Sequence, residues 1–200
     1  QAVVQNGGEG IGLFRTEFLF MDRMSRPTEA EQFEAYATVA KAMNGREVII
    51  RTLDIGGDKE IPYLEIEKED NPFLGHRAIR YCLDHPDLFC DQIRAILRAA
   101  KFGDLKLMLP LITCKEEILA AKKLIEQCLR ELIEAGEDVH PVPVGIMVET
   151  PAAALTAAEL AKESDFFSIG TNDLTGYVMA VDRGNQAVAR LYDPMQPAVK

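Results

Sequence analysis

The sequence lacks the features of a membrane or secreted protein. None of its apolar runs reaches transmembrane length, and no basic segment followed by an apolar one opens the chain, as a signal peptide would require. Basic residues are also in deficit, because 22 lysines and arginines oppose 32 aspartates and glutamates, giving a net charge of −10. Nucleic acids and anionic membranes are held by basic footprints, so neither is an expected partner. We therefore expect a cytoplasmic protein, in which a few converging arginines could still bind a small anion.

Patterns for a thiolate metal site or a disulfide framework are lacking as well. The four cysteines have no CxxC spacing and lie inside apolar-periodic segments, at Cys82, Cys90, Cys114 and Cys128. We interpret them as reduced core or surface thiols. The three histidines are scattered, and none has a second ligand three or four residues away. Gly56-Gly57-Asp58-Lys59 lacks P-loop spacing, so we predict a turn whose Asp58 and Lys59 either shape a site or are solvated.

The sequence does contain short apolar runs that alternate with longer helical patterns. This alternation is typical of βα units around a parallel sheet, whose strands are apolar almost throughout when both faces are covered. The predicted strands are Ile11–Phe14, Val48–Ile50, Leu105–Leu111, Val142–Val148 and Phe166–Ile169. The fold class predicted is therefore α/β, with one domain or a piece of one.

Helix signals lie between the predicted strands. Thr28 and Glu31 have the spacing of a capping box, and apolar residues at helical spacing follow as far as Met43. Two amphipathic patterns and one alanine-rich pattern predict further helices that begin at about Pro86, Lys115 and Pro151. The stretch Ile55–Arg80 is rich in glycine, proline and charge, so we interpret it as a long βα connection of the kind that often carries binding loops.

Polar residues recur at the same end of the predicted strands. Arg15 follows the first strand, Arg51 the second and Glu149 the fourth. Asn172 and Asp173 follow the fifth strand after a Gly-Thr turn. Active sites of βα barrels are built at this carboxyl-terminal face, whereas isolated structural charges fall more often in loops or on solvated helix faces. We therefore predict a functional site here.

The residue types suit a metal ion beside a small anion. Mg²⁺ takes one or two protein carboxylates and completes its octahedron with water and substrate oxygens, so Glu149 and Asp173 are the predicted ligands. Arg15 and Arg51 offer planar forks to carboxylate or phosphate oxygens. Arg183 is a third such residue, unless it forms a salt bridge with its neighbour Asp182. With the Asn172 amide, this set matches a substrate that carries both a phosphate and a carboxylate.

The other arginines are weaker candidates. Arg77, in Gly75-His76-Arg77, lies in a connection whose path the sequence does not define. Arg80, Arg94 and Arg98 have helical spacing, so we predict that they lie on the surface.

Six segments together carry a family resemblance. They are Gly10–Phe20 (GIGLFRTEFLF), Arg51–Lys59 (RTLDIGGDK), Asn71–Gly75 (NPFLG), Val148–Ala153 (VETPAA), Phe166–Thr175 (FFSIGTNDLT) and Ala180–Asn185 (AVDRGN). In this order, over nearly the whole chain, they resemble enzyme I of the bacterial phosphoenolpyruvate:sugar phosphotransferase system. Pyruvate phosphate dikinase and phosphoenolpyruvate synthase share the barrel and parts of these motifs, but Phe14 before Arg15 and the contiguous match favour enzyme I.

The resemblance implies a TIM (β/α)₈ barrel of the phosphoenolpyruvate/pyruvate-binding type. It further implies Mg²⁺-dependent transfer of phosphate from phosphoenolpyruvate to a histidine on a separate domain and then to the carrier HPr, and a homodimer formed through the barrel. By motif, the substrate would bind Arg15, Arg51, Asn172, Asp173 and Arg183. Mg²⁺ would bind Glu149 and Asp173.

Two functional residues of the family have no counterpart in the chain. The phosphohistidine belongs to a domain before the barrel, and none of His76, His85 and His140 lies in a matching motif. The proton-donor cysteine belongs to a Gly-Met-Cys-Gly-Glu segment beyond the C-terminus. We therefore predict no catalytic residue within this segment. A smaller departure is Gly176, where the family usually has glutamine.

Chain length predicts an incomplete barrel. A complete barrel of this type needs roughly 250 residues, whereas about five strands are predicted in 200 residues. By family comparison, one strand would precede Gln1 and about two would follow Lys200, so residues 1–200 are expected to form a partial barrel domain. An unclosed parallel sheet exposes two edges, so the isolated segment should be marginally stable or should associate.

The sequence leaves three functions open. The first is the barrel of a phosphotransferase, and the second is a module that binds Mg²⁺ and phosphoenolpyruvate or pyruvate without turnover. The third is a related phosphoenolpyruvate/pyruvate barrel, of the dikinase or synthase type or with lyase or aldol chemistry. A histidine-bearing domain in the flanking sequence would favour the first, and a nucleotide-grasp domain would indicate the dikinase or synthase.

Overall fold

Five parallel strands form one curled sheet in the computed structural model, which describes residues 2–56, 61–64 and 66–200. The strands, in sequence order across the sheet, are β1 Ile11–Phe14, β2 Val48–Arg51, β3 Leu105–Leu109, β4 Val144–Val148 and β5 Phe167–Ile169. Each strand pairs in parallel with the next one. The fold is therefore α/β, a five-stranded segment of the TIM-barrel type, as predicted. Asp58 and Lys59, predicted to lie in a turn, are outside the described residues.

Helices flank the sheet and connect its strands. The α-helices are α1 Ala2–Gln5, α2 Glu29–Met43, α3 Ile79–Asp84, α4 Pro86–Ala99, α5 Lys115–Glu134, α6 Pro151–Leu155, α7 Ala157–Leu160 and α8 Thr171–Met179. Single 3₁₀ turns cover Glu17–Leu19, Pro72–Leu74, Ala100–Phe102 and Ala189–Leu191. The predicted long connection after β2 therefore contains a 3₁₀ turn and ends as α3 begins.

Prolines shift the ends of two predicted strands. β3 ends two residues earlier than predicted, before Pro110, because proline has no N–H to donate to the ladder. β4 begins at Val144, two residues later than predicted, since Pro143 cannot donate either. β2 extends one residue further than predicted, to Arg51, and β5 begins one residue later, at Phe167.

The predicted capping box is confirmed, whereas the alanine-rich helix is divided. The Glu31 N–H donates to Thr28 Oγ1 at 3.2 Å, and the Thr28 N–H donates to Glu31 Oε2 at 2.7 Å. The helix that begins at Pro151 stops at Leu155, and α7 follows Thr156. The Thr156 hydroxyl donates to a carbonyl one turn back at 2.8 Å, a bond that competes with regular helix geometry.

The two faces of the sheet bury different sets of side chains. The larger core lies between the helices and the outer face, and contains Val48, Ile50, Leu107 and Ile146 with the apolar sides of α2, α4 and α5. The inner face carries a smaller cluster formed by Leu13, Ile49, Met108, Met147 and Phe166. Because successive strand residues point to opposite faces, residues two positions beyond this cluster also face inward. This period positions the site described below.

The outer strand β5 is the exposed end of the sheet. Phe167 and Ile169 are 39% and 69% exposed, although both are large apolar residues. Among the described residues, no strand pairs with the free edge of β5. An apolar strand with one unpaired edge is a template for pairing with another chain.

We accordingly expect the isolated 200-residue chain to associate. Light scattering and circular dichroism should find dimers or larger species, and a monodisperse monomer with a sharp unfolding transition would contradict the prediction. Ile169→Lys should reduce association, because a charge blocks edge pairing. Leu119→Lys, which places the same charge on an exposed apolar position of α5, should leave association unchanged.

All four cysteines are free thiols, as predicted. Cys82, Cys90 and Cys128 are buried, and Cys114 is partly exposed. Within the described part of the chain, no helix combines the length and apolar character needed to cross a membrane.

Candidate metal and anion site

The carboxyl ends of the strands open into a cavity of about 500 Å³. Its lining includes all the predicted site residues, namely Arg15, Arg51, Glu149, Asn172 and Asp173 from the strand ends, and Arg183. Three of these converge through the two-residue period of the strands. Leu13, Ile49 and Met147 belong to the inner cluster, and the residue two positions beyond each of them is a site residue. The structure therefore brings the predicted set together.

Three carboxylates meet inside this cavity. One oxygen from each of Asp54, Glu149 and Asp173 lies within 4.8 Å of the others. The sequence reasoning missed Asp54, three residues beyond β2, because it took only Arg51 from the end of that strand. The signal available was its position as the first carboxylate after that strand. Carboxylate oxygens so close together are a suitable donor set for a hard divalent cation.

The carboxyl group of Glu149 is buried among these charges. Burial, together with the charges of Asp54 and Asp173, raises the pKa of Glu149 to about 7. The Leu111 N–H, which donates to Glu149 Oε1 at 2.7 Å, and the charge of Arg51 lower that pKa but do not outweigh the other effects. A bound cation would stabilise the ionised form, because it would offset the repulsion between the carboxylates.

Arg51 is held in place by two carboxylates. Its Nη2 lies 2.7 Å from Glu17 Oε1 and 3.2 Å from Asp54 Oδ2, and all three side chains are buried. Burial alone would lower the pKa of Arg51, but the charges of Asp54 and Glu17 raise it above its usual value. The guanidinium group is therefore a fixed positive charge at the base of the cavity.

Arg77, a weaker candidate from the sequence, lies in the centre of the cluster. Its Nη2 is 2.9 Å from Asp54 Oδ1 and 3.0 Å from Asp173 Oδ2. The connection after β2 folds back so closely that a Cβ on Gly56 would lie 2.5 Å from Arg77 Cβ. Gly56 also has a φ of +106°, so a side chain is disfavoured there on both counts. The glycine therefore permits the approach that places Arg77 beside Asp54.

Arg15, Asn172 and Arg183 form the exposed part of the site. Within the described residues, neither arginine has an ion-pair partner. The alternative pairing of Arg183 with Asp182 is not formed, and Asp182 Oδ1 instead accepts the Gly184 N–H at 2.8 Å. Both arginines therefore have free donors for a ligand in the cavity.

The buried part of the site has an excess of negative charge. Four carboxylates and two guanidinium groups are packed together: Glu17, Asp54, Glu149 and Asp173 with Arg51 and Arg77. When all are ionised, two negative charges remain, which is the charge that a divalent cation neutralises. The residues present therefore fit a hard divalent cation of the Mg²⁺ type. The exposed arginines remain available to an anionic ligand in the same cavity.

The arginines predicted to lie on the surface do not line this cavity. Arg94 and Arg98 are partly buried and pair with carboxylates of neighbouring helices, including Glu29. Arg80 is half-buried and donates to the carbonyl of Gly75 at 2.9 Å.

These features define the class of protein. The sequence matches, over residues 1–200, the family described as PEP-utilising enzyme, PEP-binding domain, where PEP denotes phosphoenolpyruvate. The chain therefore belongs to that family.

Eight of its curated relatives share one name, phosphoenolpyruvate-protein phosphotransferase. The chain is 59% identical over 98% of its length to the protein of Haemophilus influenzae, 53% identical over its whole length to that of Bacillus subtilis, and 54% identical over 98% to that of Staphylococcus carnosus. It spans 34–35% of the length of these enzymes. The resemblance found in the sequence motifs is thereby confirmed.

Proposed function

We propose that this chain forms the Mg²⁺-dependent phosphoenolpyruvate site of a phosphoenolpyruvate-protein phosphotransferase. The observation that carries this proposal is one cavity in which a cluster of carboxylates lies beside arginines with free donors. A metal ion and a substrate with a phosphate and a carboxylate need both kinds of group. The names of the relatives favour this function over the dikinase and the synthase.

In this proposal, Glu149 and Asp173 bind Mg²⁺, and Asp54 is a third candidate ligand. Bound there, Mg²⁺ would supply positive charge that stabilises the negative charge developing as the phosphoryl group leaves. Arg77 keeps Asp54 and Asp173 in place through its Nη2, which contacts both carboxylates. The connection after β2 thus supports two of the three candidate ligands.

The anion is held by residues on opposite sides of the cavity. Arg51 provides a buried positive charge at the base, and Arg15 and Arg183 approach from the exposed side. Asn172 donates its side-chain amide, and Asp173 next to it is a carboxylate that would hold the metal near the substrate. Fixed donors around the leaving phosphoryl group and the enolate stabilise charge without rearrangement during the reaction.

The remaining steps require groups that this cavity does not supply. Among the described residues, His76, His85 and His140 do not line it. The proposal therefore places the phosphoryl acceptor, a histidine, on a separate domain, from which HPr receives the phosphate for sugar transport. A homodimer formed through the barrel and a cytoplasmic location complete the proposal, on the basis of the family resemblance.

Calorimetric titration of this chain with phosphoenolpyruvate tests the proposed site. We expect binding in the presence of Mg²⁺ and its loss when the metal is chelated. Inorganic phosphate, which lacks the carboxylate, should bind more weakly because it engages fewer of the arginines. Circular dichroism of the same sample verifies that the chain is folded. Metal-independent binding, or no binding by the folded chain, would contradict the proposal.

A further inference from the structure

The segment after β2 leaves the sheet while it is still buried. The Thr52 N–H continues the ladder and donates to the carbonyl of Met108 at 3.0 Å. The side chain of Leu53 is fully buried, and its N–H lies beyond the ladder of the described strands. A buried N–H must find another acceptor, because an unpaired one is costly. Gln92 provides it, and its Oε1 accepts the Leu53 N–H at 2.8 Å.

Gln92 is itself fixed by a chain of buried hydrogen bonds. It is fully buried on α4, and its Nε2 donates to the Tyr36 hydroxyl at 3.1 Å. That hydroxyl donates to Gln32 Oε1, also at 3.1 Å. Both Tyr36 and Gln32 lie on α2, and both are buried. The orientation of the Gln92 amide is therefore set by two helices, and it cannot rotate away from Leu53 without breaking these bonds.

The main-chain carbonyl of Leu53 is held as well as its N–H. The Cys82 thiol on α3 contacts the Leu53 carbonyl oxygen at 3.6 Å. Asp54, the next residue, has one carboxylate oxygen 3.2 Å from Arg51 and the other 2.9 Å from Arg77. Its carboxylate also belongs to the cluster with Glu149. A shift of the Leu53 main chain would therefore move the Asp54 carboxylate. This carboxylate contacts both buried arginines and belongs to the carboxylate cluster.

We infer that Gln92 is a positioning residue for the metal and anion site, acting through the Leu53 N–H on Asp54. This inference rests on the proposed function. It assigns a role to a polar residue in the middle of an otherwise apolar helix face, remote in sequence from every site motif. An alternative is that Gln92 only satisfies a buried N–H and contributes to stability alone. A positioning role predicts that a substitution of Gln92 lowers ligand affinity. A role in stability alone predicts no more loss of affinity than another substitution of equal destabilising effect.

The test compares two variants of the full-length protein. Gln92→Met keeps the approximate length and volume of the side chain but replaces the amide oxygen that accepts the Leu53 N–H with a weakly accepting thioether sulfur. We expect it to weaken Mg²⁺-dependent phosphoenolpyruvate affinity about tenfold, as for other residues that orient metal ligands. Ile93→Ala, at the adjacent and equally buried position of α4, is the matched control for lost stability. It should lower the melting temperature and leave the affinity unchanged.

The outcomes separate this inference from the proposed function. Wild-type affinity in Gln92→Met, or an equal loss in Ile93→Ala, would overturn the inference alone. Absence of Mg²⁺-dependent binding in the wild type would overturn the proposed function and the inference with it. If Gln92→Met does not fold, Tyr36→Phe decides, because it removes the acceptor of Gln92 Nε2 and frees the amide to rotate. We expect a smaller affinity loss in the same direction, and unchanged affinity would then reject the inference.

Discussion

Arg51→Ala is expected to nearly abolish phosphoenolpyruvate binding, with a loss of about 2 to 5 kcal/mol in binding free energy, the range found when one partner of a buried charge pair is removed. The guanidinium group is the positive charge at the base of the cavity. Without it, Glu17 loses its partner and Asp54 keeps only Arg77, so both carboxylates repel the incoming anion more strongly. Calorimetric titration of the ligand in the presence of Mg²⁺ measures the loss.

Arg94→Ala is the control for this substitution. It removes the same side chain and the same charge, but Arg94 pairs with carboxylates outside the cavity. We expect a change in stability without a comparable change in affinity. Arg51→Lys should give an intermediate loss, since lysine retains the charge but not the planar fork. Equal losses of affinity for the two alanine variants would contradict the separation of site arginines from the other arginines.

The sequence was sufficient to predict the residues that the strands deliver. Parallel strands all have their carboxyl ends at the same edge of the sheet. The two-residue period then determines on which face of the sheet the residues beyond each strand lie. Arg51 and Glu149 each lie two residues beyond a member of the inner cluster, Ile49 and Met147. Their meeting therefore needs only local regularity and the parallel order of the strands.

Residues delivered by irregular segments could not be predicted in the same way. Asp54 and Arg77 meet because the connection folds back at Gly56, a path that depends on packing rather than on a repeating period. Gln92 is harder still, because a glutamine in an amphipathic helix looks like a solvated residue. Only the packing of α4 against α2 and the segment after β2 makes it fully buried. The strand ends provide the reactive groups, and the tertiary contacts provide their support.

Glu149→Gln should raise the stability of the metal-free protein while it removes most of the Mg²⁺ affinity. The substituted amide would keep an oxygen for the Leu111 N–H but would remove the charge that Asp54 and Asp173 repel. The same substitution deletes a charged metal ligand, so ligand binding should require far more Mg²⁺. Glu126→Gln, on the exposed side of α5, serves as the control and should change neither property.

The stability difference between Glu149→Gln and the wild type should depend on pH. The pKa of Glu149 is raised from 4.5 to about 7 in the folded protein, so its protonated form favours folding. That contribution is complete below pH 4.5 and is lost as the pH rises through 7, and it amounts to about 3 kcal/mol by linkage.

Glutamine does not titrate, so the stability advantage of Glu149→Gln should be absent at acidic pH and largest near pH 8. Chemical denaturation of the metal-free proteins across this range measures it. Saturating Mg²⁺ at pH 8 should reverse the order, because ligand binding stabilises only the wild type strongly. An advantage for the variant that does not depend on pH would show that the charge of Glu149 is not its cause.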